Sequence, residues 1–252
     1  MLAEERKQTI LALLRKSGSV RTVDLAQMFN VSDQTIRRDF WELEEMGLMS
    51  KKHGGAVLVN YQSVPYQERA ILLKDAKLAI ARAAARAVKP SMVVALGPGT
   101  TTEMLAHVLN GLNIKLITNS LTVAMAVTHT NTEVWLTGGR YRSGSELVTG
   151  SWVANNLAHF FADLCIVGVS GIDTDEGYTV TEADEAKVLR QFIRIAKTSV
   201  IVSDSTKFHR VAKEVVAPLG AVHRLITDGN ISVADRQRLE AAGVEVVVAG
   251  GS

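Results

Sequence analysis

Three side chains in one short stretch of the chain have the chemistry needed to read DNA bases. Gln34, Arg37 and Arg38 lie within residues 32–40, SDQTIRRDF. In the major groove, glutamine pairs in a bidentate manner with the adenine edge, and arginine does the same with the guanine edge. In a helical conformation these side chains project from the first turns. The stretch therefore predicts a DNA recognition helix.

A buried stripe on the same helix must hold that reading face outward. Ile36, Phe40 and Leu43 recur at helical spacing and predict an apolar side. Because a helix has a period of about 3.6 residues, the base-reading side chains fall on the opposite side and its flank. Ser32 precedes the helix and is a good N-cap for the amides of its first turn.

The elements around this helix complete a winged helix-turn-helix pattern. Helices are predicted at 4–16 and 23–29, a tight turn at 30–31, and two short strands around a glycine hairpin at 48–59. Basic residues beside the hairpin suit phosphate contacts, which position a protein on DNA without reading its sequence. Each piece alone favours a solvated helix face or an ordinary turn, but all of the pieces in this order favour DNA binding. The predicted DNA contacts are Ser32, Gln34, Thr35, Arg37, Arg38, Lys51, Lys52 and His53.

The same region resembles the signature of a known family. Arg6, Ile10 and Leu14, followed by residues 32–40 and 53–56, are similar in type and spacing to the N-terminal region of the DeoR/GlpR-type bacterial transcription regulators. The resemblance continues past the predicted linker and covers essentially the whole chain. It implies a winged helix-turn-helix joined to a C-terminal sensor that binds a phosphorylated sugar or a related metabolite.

Composition is compatible with two globular domains and gives little indication of nucleic-acid binding. The chain has 252 residues and a formal net charge of +2, and residues 1–60 carry nine Lys and Arg against eight Asp and Glu. The position of the charges, not their number, therefore carries the DNA argument. The single cysteine, Cys165, lies in an apolar run and is expected to be buried. No segment resembles a signal peptide or a membrane span, so we expect a cytoplasmic protein with no membrane partner.

The hydrophobic pattern changes once along the chain. Residues 59–74 include Pro65 and have no clear period, which predicts a linker between a DNA-binding domain at 1–58 and a larger domain at 75–252. In the larger domain, short apolar strands alternate with helical segments. This alternation predicts a Rossmann-like α/β domain with a mostly parallel sheet covered on both faces.

Ligands of such sheets bind at the carboxyl ends of the strands, so the loops there are the candidate effector site. The loop at 97–103, GPGTTTE, places glycines and threonine hydroxyls before a helix, which suits a phosphate. Glycine is also a routine strand-to-helix connector, so this loop alone leaves both interpretations open. Loops of the same type at 118–120, 137–140 and 168–173 each follow a predicted strand and favour the ligand.

Two charged residues extend the candidate effector site. Lys207 follows a predicted strand, and its position favours a phosphate contact over a surface charge. Glu185 is equally compatible with a solvated helical face. The histidines show no metal-binding spacing, so neither a metal nor a cofactor is expected. The predicted effector contacts are Gly97, Gly99, Thr100, Thr101, Thr102, Asn119, Ser120, Gly138, Gly139, Ser170, Asp173, Glu185 and Lys207.

The larger domain also resembles ribose-5-phosphate isomerase, which raises an enzymatic alternative. Those isomerases need a carboxylate base and a lysine to move protons on an open-chain sugar phosphate. Asp173 matches one family aspartate, but Ser170 stands where the other would be, and residues 174–179 replace a lysine- and glycine-rich segment. Many DeoR/GlpR-type regulators also have an aspartate at the position of Gly97. A phosphosugar site without the complete proton-transfer set is expected to bind its ligand without turnover.

These observations predict a sequence-specific transcription regulator that represses carbohydrate-metabolism genes under the control of a phosphorylated sugar or sugar-derived effector. The alternative is a phosphosugar isomerase or lyase with a DNA-binding appendage. One winged helix-turn-helix buries only about 600–1,000 Å² on DNA, which rarely gives both affinity and specificity. We therefore expect a homo-oligomer, a dimer or a tetramer, on a double-stranded operator.

Overall fold

The computed structural model describes residues 2–45, 49–58, 66–127 and 131–250. Contacts divide the chain into two compact units, residues 1–64 and residues 65–252. This division falls inside the segment predicted to be a linker. In the described ranges, no helix is both long enough and apolar enough to cross a membrane.

The described part of the N-terminal unit contains helices and a small antiparallel sheet. Its elements are α1 (Ala3–Ser17), β1 (Ser19–Arg21), α2 (Thr22–Phe29), α3 (Asp33–Glu45), β2 (Met49–Lys52) and β3 (Gly55–Leu58). The strand order is β1-β3-β2, so β1 pairs with the hairpin formed by the other two strands. Gly54, at the tip of this hairpin, has a φ of +78°, which glycine adopts without strain.

Apolar residues from α1 and α3 meet in the core of this unit. Ile10, Leu14, Ile36 and Phe40 are at most 2 % exposed. The stripe predicted for the recognition helix is therefore confirmed as buried. The predicted hairpin is present as β2 and β3, although residues 46–48 and 59–60 lie outside the described part of the chain. The sequence does not predict β1, because three residues are too few to establish an alternating pattern.

The larger unit is an α/β domain. Its first elements are α4 (Tyr66–Ile71), α5 (Lys74–Ala85), β4 (Val93–Leu96), α6 (Thr100–Leu109), β5 (Lys115–Thr118), α7 (Leu121–Ala126), β6 (Glu133–Leu136), β7 (Arg140–Arg142), β8 (Leu147–Thr149) and α8 (Ser151–Leu157). They are followed by β9 (Ala162–Val167), β10 (Gly171–Asp173), β11 (Gly177–Val180), α9 (Ala183–Ile195), β12 (Ala196–Val202), β13 (Glu214–Ala217), β14 (Arg224–Thr227), α10 (Val233–Ala241) and β15 (Glu245–Val248).

A seven-stranded sheet in the order β15-β14-β12-β9-β4-β5-β6 forms the centre of this unit, and each neighbouring pair is parallel. Successive residues of a strand point to opposite faces. Val94 and Leu96 thus join the core formed with α5, α6 and α7, whereas Ala95 joins the core formed with α8, α9 and α10. The predicted Rossmann-like fold is confirmed. Cys165 is buried as predicted, and this burial raises the pKa of its thiol to about 12.

The structure corrects the prediction at three places in the larger unit. Helix α4 lies within the segment 59–74 that was expected to be a linker. Strands β7 and β8 form an antiparallel hairpin, and β10, β11 and β13 form a separate antiparallel sheet. These strands have only three or four residues each, so their hydrophobic pattern gives no period to detect.

Candidate functional site

Ser32 and Thr35 build the start of the recognition helix α3. The Ser32 Oγ accepts a hydrogen bond from the Thr35 amide at 3.2 Å and lies 2.9 Å from the Thr35 Oγ1. In this arrangement a side-chain oxygen satisfies one of the first-turn amides that lack a partner within the helix. The predicted cap is confirmed. Both hydroxyls already hold the helix start in place.

The predicted base-reading side chains lie on the outward face of α3. Gln34, Arg37 and Arg38 are all exposed. The Arg38 side chain is 81 % exposed, and its Nε lies 3.4 Å from the Glu42 Oε1 one turn further along the helix. An ion pair this exposed adds little to stability, so Arg38 can exchange it for a base edge at little cost.

A buried ion pair fixes α3 against α1. The Arg6 Nε donates to the Asp39 Oδ2 at 2.6 Å, and a second guanidinium nitrogen donates to the Oδ1 at 3.0 Å. Both residues are buried, and the hydrogen bonds to Asp39 raise the pKa of Arg6 above its ordinary value. Beside this pair, the Lys7 Nζ lies 3.1 Å from the Glu42 Oε2. These contacts determine which face of α3 stays exposed.

The β2–β3 hairpin is tied to the same helix. The Lys51 Nζ lies 2.7 Å from the Glu44 Oε2, and the Lys51 amide donates to the Glu44 Oε1 at 2.7 Å. Lys52 and His53 are exposed at the end of the hairpin. The structure therefore joins the wing to the recognition helix. Lys51 positions the wing, whereas Lys52 and His53 are the side chains that extend from its tip.

The loop after β4 forms one part of the candidate effector site. Gly97 packs against the neighbouring strand β9, where an added Cβ would lie 2.9 Å from a valine methyl group. Gly99 has a φ of +139° and immediately precedes α6. This helix begins at Thr100, so Thr100 and Thr101 belong to its first turn and not to a loop before it. The Thr102 Oγ1 donates to the Gly99 carbonyl oxygen at 2.9 Å and holds the turn.

Asn119 and Ser120, after β5, hold neighbouring elements. The Asn119 Nδ2 donates to the Val148 carbonyl oxygen at 2.9 Å, and the Val148 amide donates to the Asn119 carbonyl oxygen at 2.7 Å. The Ser120 Oγ accepts from the Val123 amide at 3.4 Å and caps α7. The Asn119 Oδ1 is buried without a hydrogen-bond partner in the described chain. This oxygen can accept a hydrogen bond from a ligand.

Lysines and arginines from separate segments meet beyond the carboxyl end of β12. Lys207 lies in the turn after this strand, and Lys77, on α5, is only 4 % exposed. Burial lowers the pKa of each lysine to about 8, with Arg69 lowering both further and the Asp204 carboxylate opposing the shift. The positive charge of Lys207 also lowers the pKa of Lys77, and that of Arg210 lowers the pKa of Lys207. We call Arg69, Lys77, Lys207 and Arg210 the cationic cluster.

Asp204 places a negative charge beside this cluster. Its Oδ1 accepts hydrogen bonds from the amide of Thr206, at 3.1 Å, and from the hydroxyl of the same residue. The Lys77 Nζ donates to the Arg69 carbonyl oxygen, which is neutral. The Arg69 Nε is buried without a hydrogen-bond partner among the residues that the structure describes. Positive charges held close together, one of them on the buried Lys77 and the others half-buried, attract negative charge, so the cluster is suited to an anionic ligand.

The ends of three adjacent strands bring this cluster beside the loop after β4. Strands β12, β9 and β4 are neighbours in the sheet and run parallel. A Cβ added to Gly168, after β9, would lie 3.8 Å from both the Pro98 and the Val202 carbonyl oxygens. The amides at the start of α6 and the cations of the cluster therefore lie at the carboxyl ends of these strands, where ligands of such folds bind.

Glu185 belongs to the same charged neighbourhood. Burial raises the pKa of its carboxyl, whereas the positive charges of Arg69 and Arg142 lower it and Glu182 raises it. Arg142, on the β7–β8 hairpin, also lies 3.3 Å from the Glu182 carboxylate. Glu185 is thus electrostatically linked to the cationic cluster through Arg69. Its role in effector binding stays a prediction.

Asp173 and Ser170 are not brought to this cluster by any contact in the described residues. The Asp173 Oδ1 accepts hydrogen bonds from the amides of residues 175 and 176, at 2.9 Å and 3.2 Å, and so stabilises the turn between β10 and β11. The Ser170 amide donates to the Thr179 carbonyl oxygen at 2.9 Å. Both positions are accounted for by the antiparallel sheet, which the sequence did not predict.

Gly138 and Gly139 follow β6, the outer strand of the sheet on the side away from the cationic cluster. Gly138 lines a cavity beside Trp135. Gly139 has a φ of +154°, and an added Cβ would lie 2.9 Å from the Thr149 carbonyl oxygen and 2.7 Å from a Val153 methyl group. Gly139 therefore permits a close approach of β8 and α8.

The residues that sequence inspection missed are Arg69, Lys77, Arg142 and Arg210. Arg69 lies on α4, inside the expected linker. Lys77 carried a usable signal, because it shares its helical stripe with buried Ile80, Ala81 and Ala84. A lysine on the buried face of a helix requires a charged or polar partner and is a candidate for function.

Comparisons with protein families match two consecutive parts of the chain, and curated proteins match almost its whole length. A DeoR-like helix-turn-helix domain matches residues 6–62, and a DeoR C terminal sensor domain matches residues 73–229. The HTH-type transcriptional regulator GlpR of Haloferax volcanii is 32 % identical over 250 residues, covering 98 % of each chain. The glycerol-3-phosphate regulon repressor of Escherichia coli is 32 % identical over 231 residues, covering 90 % of this chain and 92 % of the relative.

Solved structures show a more distant similarity. Ribose 5-phosphate isomerase A of Methanocaldococcus jannaschii is 17 % identical, with a TM-score of 0.40 over 54 % of each chain. At this distance the similarity carries no argument about activity.

Proposed function

The chain belongs to the DeoR family of helix-turn-helix transcriptional regulators, and on that premise we propose that it represses carbohydrate-metabolism genes and is controlled by a phosphorylated sugar. The cationic cluster is the observation that carries the effector half of this proposal. The exposed face of α3, with Gln34, Arg37 and Arg38, supports the DNA half.

A phosphate ester matches the chemistry of the cationic cluster. A phosphate carries up to two negative charges and several acceptor oxygens, whereas lysine and arginine are donors only. The first-turn amides of α6, at Thr100 and Thr101, add neutral donors that favour an anion. Burial strengthens each of these interactions because water is excluded.

The groups around the cluster suit a hydroxylated ligand. The Glu185 carboxyl and the Asn119 Oδ1 both accept hydrogen bonds, and sugar hydroxyls are donors. We infer that the phosphate lies at the cationic cluster and the hydroxyls face these acceptors. Asp173, the carboxylate that the isomerase resemblance would require for proton transfer, is engaged in a turn, which supports binding without turnover.

Control of DNA binding follows as a coupling between two sites. An effector that binds one arrangement of the subunits more tightly than another shifts the population toward the first. The ratio of its two affinities sets the size of the shift. If that arrangement separates the paired recognition helices by a distance that does not match the operator half-sites, DNA is released. This mechanism requires a homo-oligomer and a double-stranded operator.

The test uses the full-length protein and an operator obtained by selection from a random duplex library. We expect one or more sugar phosphates in a panel to raise the melting temperature and to change operator affinity, whereas the unphosphorylated parent sugars do neither. Thr101→Arg should place a long side chain at the start of α6 and abolish the response. His107→Arg, an exposed position in the last turn of the same helix, is the matched control.

Each outcome of this test separates the alternatives. DNA binding without any response to the panel would reject the phosphosugar effector and keep the regulator. Nuclear magnetic resonance of the effective sugar phosphate, incubated with the protein, should find it unchanged. Conversion to an isomer or to cleavage products would reject the sensor and favour the isomerase or lyase.

A further inference from the structure

The central sheet ends at β6, and this edge carries exposed apolar side chains. Trp135 and Leu136 are 41 % and 44 % exposed. Within the ranges that the structure describes, β6 pairs with β5 on one side and with no strand on the other. An uncovered strand edge with apolar side chains is a surface on which another chain can pair.

Helix α8 extends the same apolar surface. Asn156 and His159 line a cavity of about 300 Å³ together with Trp135 and Phe160, and the rings of the two aromatic residues meet edge to face at 5.2 Å. Trp152 lies one helical turn before Asn156, on the same side of α8, and is 72 % exposed. We call the surface formed by Trp135, Leu136, Trp152, Asn156, His159 and Phe160 the edge face.

The charges next to the edge face balance each other. The Lys115 Nζ lies 3.5 Å from the Glu133 Oε2 and 5.0 Å from the centre of the Trp135 ring. The Trp135 Nε1 donates to the Glu133 Oε1 at 2.6 Å. The polar ends of these side chains are thus satisfied within the protomer. What the edge face presents outward is mainly apolar.

We propose that the edge face binds the edge face of a second copy of this chain across a twofold axis. In such an interface the same patch is used on both subunits, so a patch with an excess of one charge would repel its own copy. The balanced Lys115–Glu133 pair avoids this repulsion. A nucleic acid would instead require an excess of cations at the contact.

Three exposed apolar side chains supply a large share of the area that a stable contact needs. From the exposed fractions of Trp135, Leu136 and Trp152, these side chains alone would remove roughly 350 Å² per protomer from water. This is a little under half of the about 800 Å² that each partner contributes to a stable interface. Tryptophans at the centre of a patch are the residues that most often dominate binding energy. This proposal does not depend on the identity of the effector.

Sedimentation velocity of the full-length protein over a concentration series tests the proposal. Trp152→Asp should raise the dimer dissociation constant at least a hundredfold, because the apolar contact is lost and the aspartates of the two copies repel each other across the interface. Val233→Asp is the matched control and should leave the dissociation constant unchanged. Val233 is 73 % exposed on α10, which packs beside β15, the outer strand opposite β6. Unchanged association of the Trp152→Asp variant, or a wild-type protein that stays monomeric, would overturn the proposal.

A cross-link measures the same contact in an otherwise unchanged protein. Cys165 is the single cysteine of the chain and is buried, so Asn156→Cys introduces a selective thiol at the edge face. A long bis-maleimide should join two copies of the Asn156→Cys protein, and adding Trp152→Asp should suppress the product. If Asn156→Cys sediments as a dimer but does not cross-link, the dimer uses another face and the proposal is wrong.

Discussion

The recognition helix and the cationic cluster use the same residue types in opposite surroundings. On α3, the Arg38 side chain is 81 % exposed and reaches a carboxylate only at 3.4 Å. In the larger unit, Lys77 is 4 % exposed and burial lowers its pKa to about 8. An exposed arginine keeps its water until DNA replaces it. A buried lysine has already lost its water, so its free energy depends on the anion beside it.

The two sites should therefore respond differently to their ligands. DNA should bind to the exposed face of α3, and dissociate from it, with little change in the stability of the N-terminal unit. Binding of an anion at the cationic cluster should change the stability of the larger unit.

The largest effect is expected on α3. Replacing Arg37 and Arg38 together by alanine removes two base-reading side chains, each worth about 1–3 kcal/mol of discrimination. Operator affinity should fall by about a hundredfold or more, with an unchanged melting temperature. Fluorescence anisotropy and footprinting measure the loss. Arg21→Ala, an exposed residue paired with Asp24 in the same unit, is the control; a wild-type footprint from the double variant would refute the recognition-helix assignment.

Burial should distinguish two ion pairs of equal length. Asp39→Asn weakens the buried pair with Arg6, and Asp24→Asn weakens the exposed pair with Arg21; both pairs are 2.6 Å long. We expect the first to lower the free energy of unfolding by about 3 kcal/mol, since it leaves a buried arginine uncompensated. The second should have no measurable effect. Urea unfolding is followed by the fluorescence of Trp41, with Trp135 and Trp152 replaced by phenylalanine in every variant so that the signal reports on this unit. Equal effects would remove burial as the explanation.

In the larger unit, Lys207→Met should act on effector and stability in opposite directions. A charged hydrogen bond to phosphate contributes about 1.5–3 kcal/mol, so the effector dissociation constant should rise by ten- to a hundredfold. Without effector, removing a half-buried positive charge whose pKa is lowered by burial should raise the melting temperature at neutral pH. Lys197→Met, at an exposed position on the strand β12 that precedes Lys207, should change neither. A Lys207→Met protein that binds the effector normally would exclude Lys207 from the site.

A smaller effect should appear in the pH dependence. Lys77 and Lys207 have pKa values lowered from 10.5 to about 8, so both lose protons as pH rises through 8. Effector affinity should fall several-fold between about pH 7 and pH 9, with proton uptake on binding near pH 8 in calorimetry. Without effector, the unfolded chain binds more protons than the folded chain between about pH 8 and 10.5, so stability attributable to these groups should rise across that range. A flat affinity profile would contradict the assignment.

The smallest effect is expected at the tip of the wing. Lys52→Ala should weaken binding to all duplexes similarly and reduce the slope of log affinity against log salt by about 0.9, because one phosphate contact is lost. Lys51→Ala additionally removes the contact with Glu44 that fixes the hairpin. A change in sequence preference caused by Lys52→Ala would assign it to base reading.

The recognition helix could be predicted from the sequence because all its signals lie in one continuous segment, residues 32–45. The buried stripe and the reading face repeat with the helical period, and the cap marks where the helix begins. The cationic cluster could not be predicted in the same way. Arg69, Lys77 and Lys207 come from three separate elements, and only the fold brings them together.

Glycine and asparagine positions were harder to interpret than charges. Gly139 and Asn119 were predicted to contact an effector, but each is explained at least in part by its contacts with the β7–β8 hairpin and α8. The sequence did not predict that hairpin, since its strands have three residues each. Without it, a residue that fits a neighbouring backbone cannot be distinguished from one that fits a ligand.

The contact between Asn119 and the β7–β8 hairpin has an evolutionary consequence. Both of its hydrogen bonds go to the backbone of Val148, at 2.9 Å and 2.7 Å, and backbone atoms are the same whatever side chain is present. This attachment therefore places no demand on the hairpin's own residues. Substitutions at Arg142 would leave these two hydrogen bonds in place. Under the proposed function, such substitutions would change the preference for a sugar while the cationic cluster still binds the phosphate.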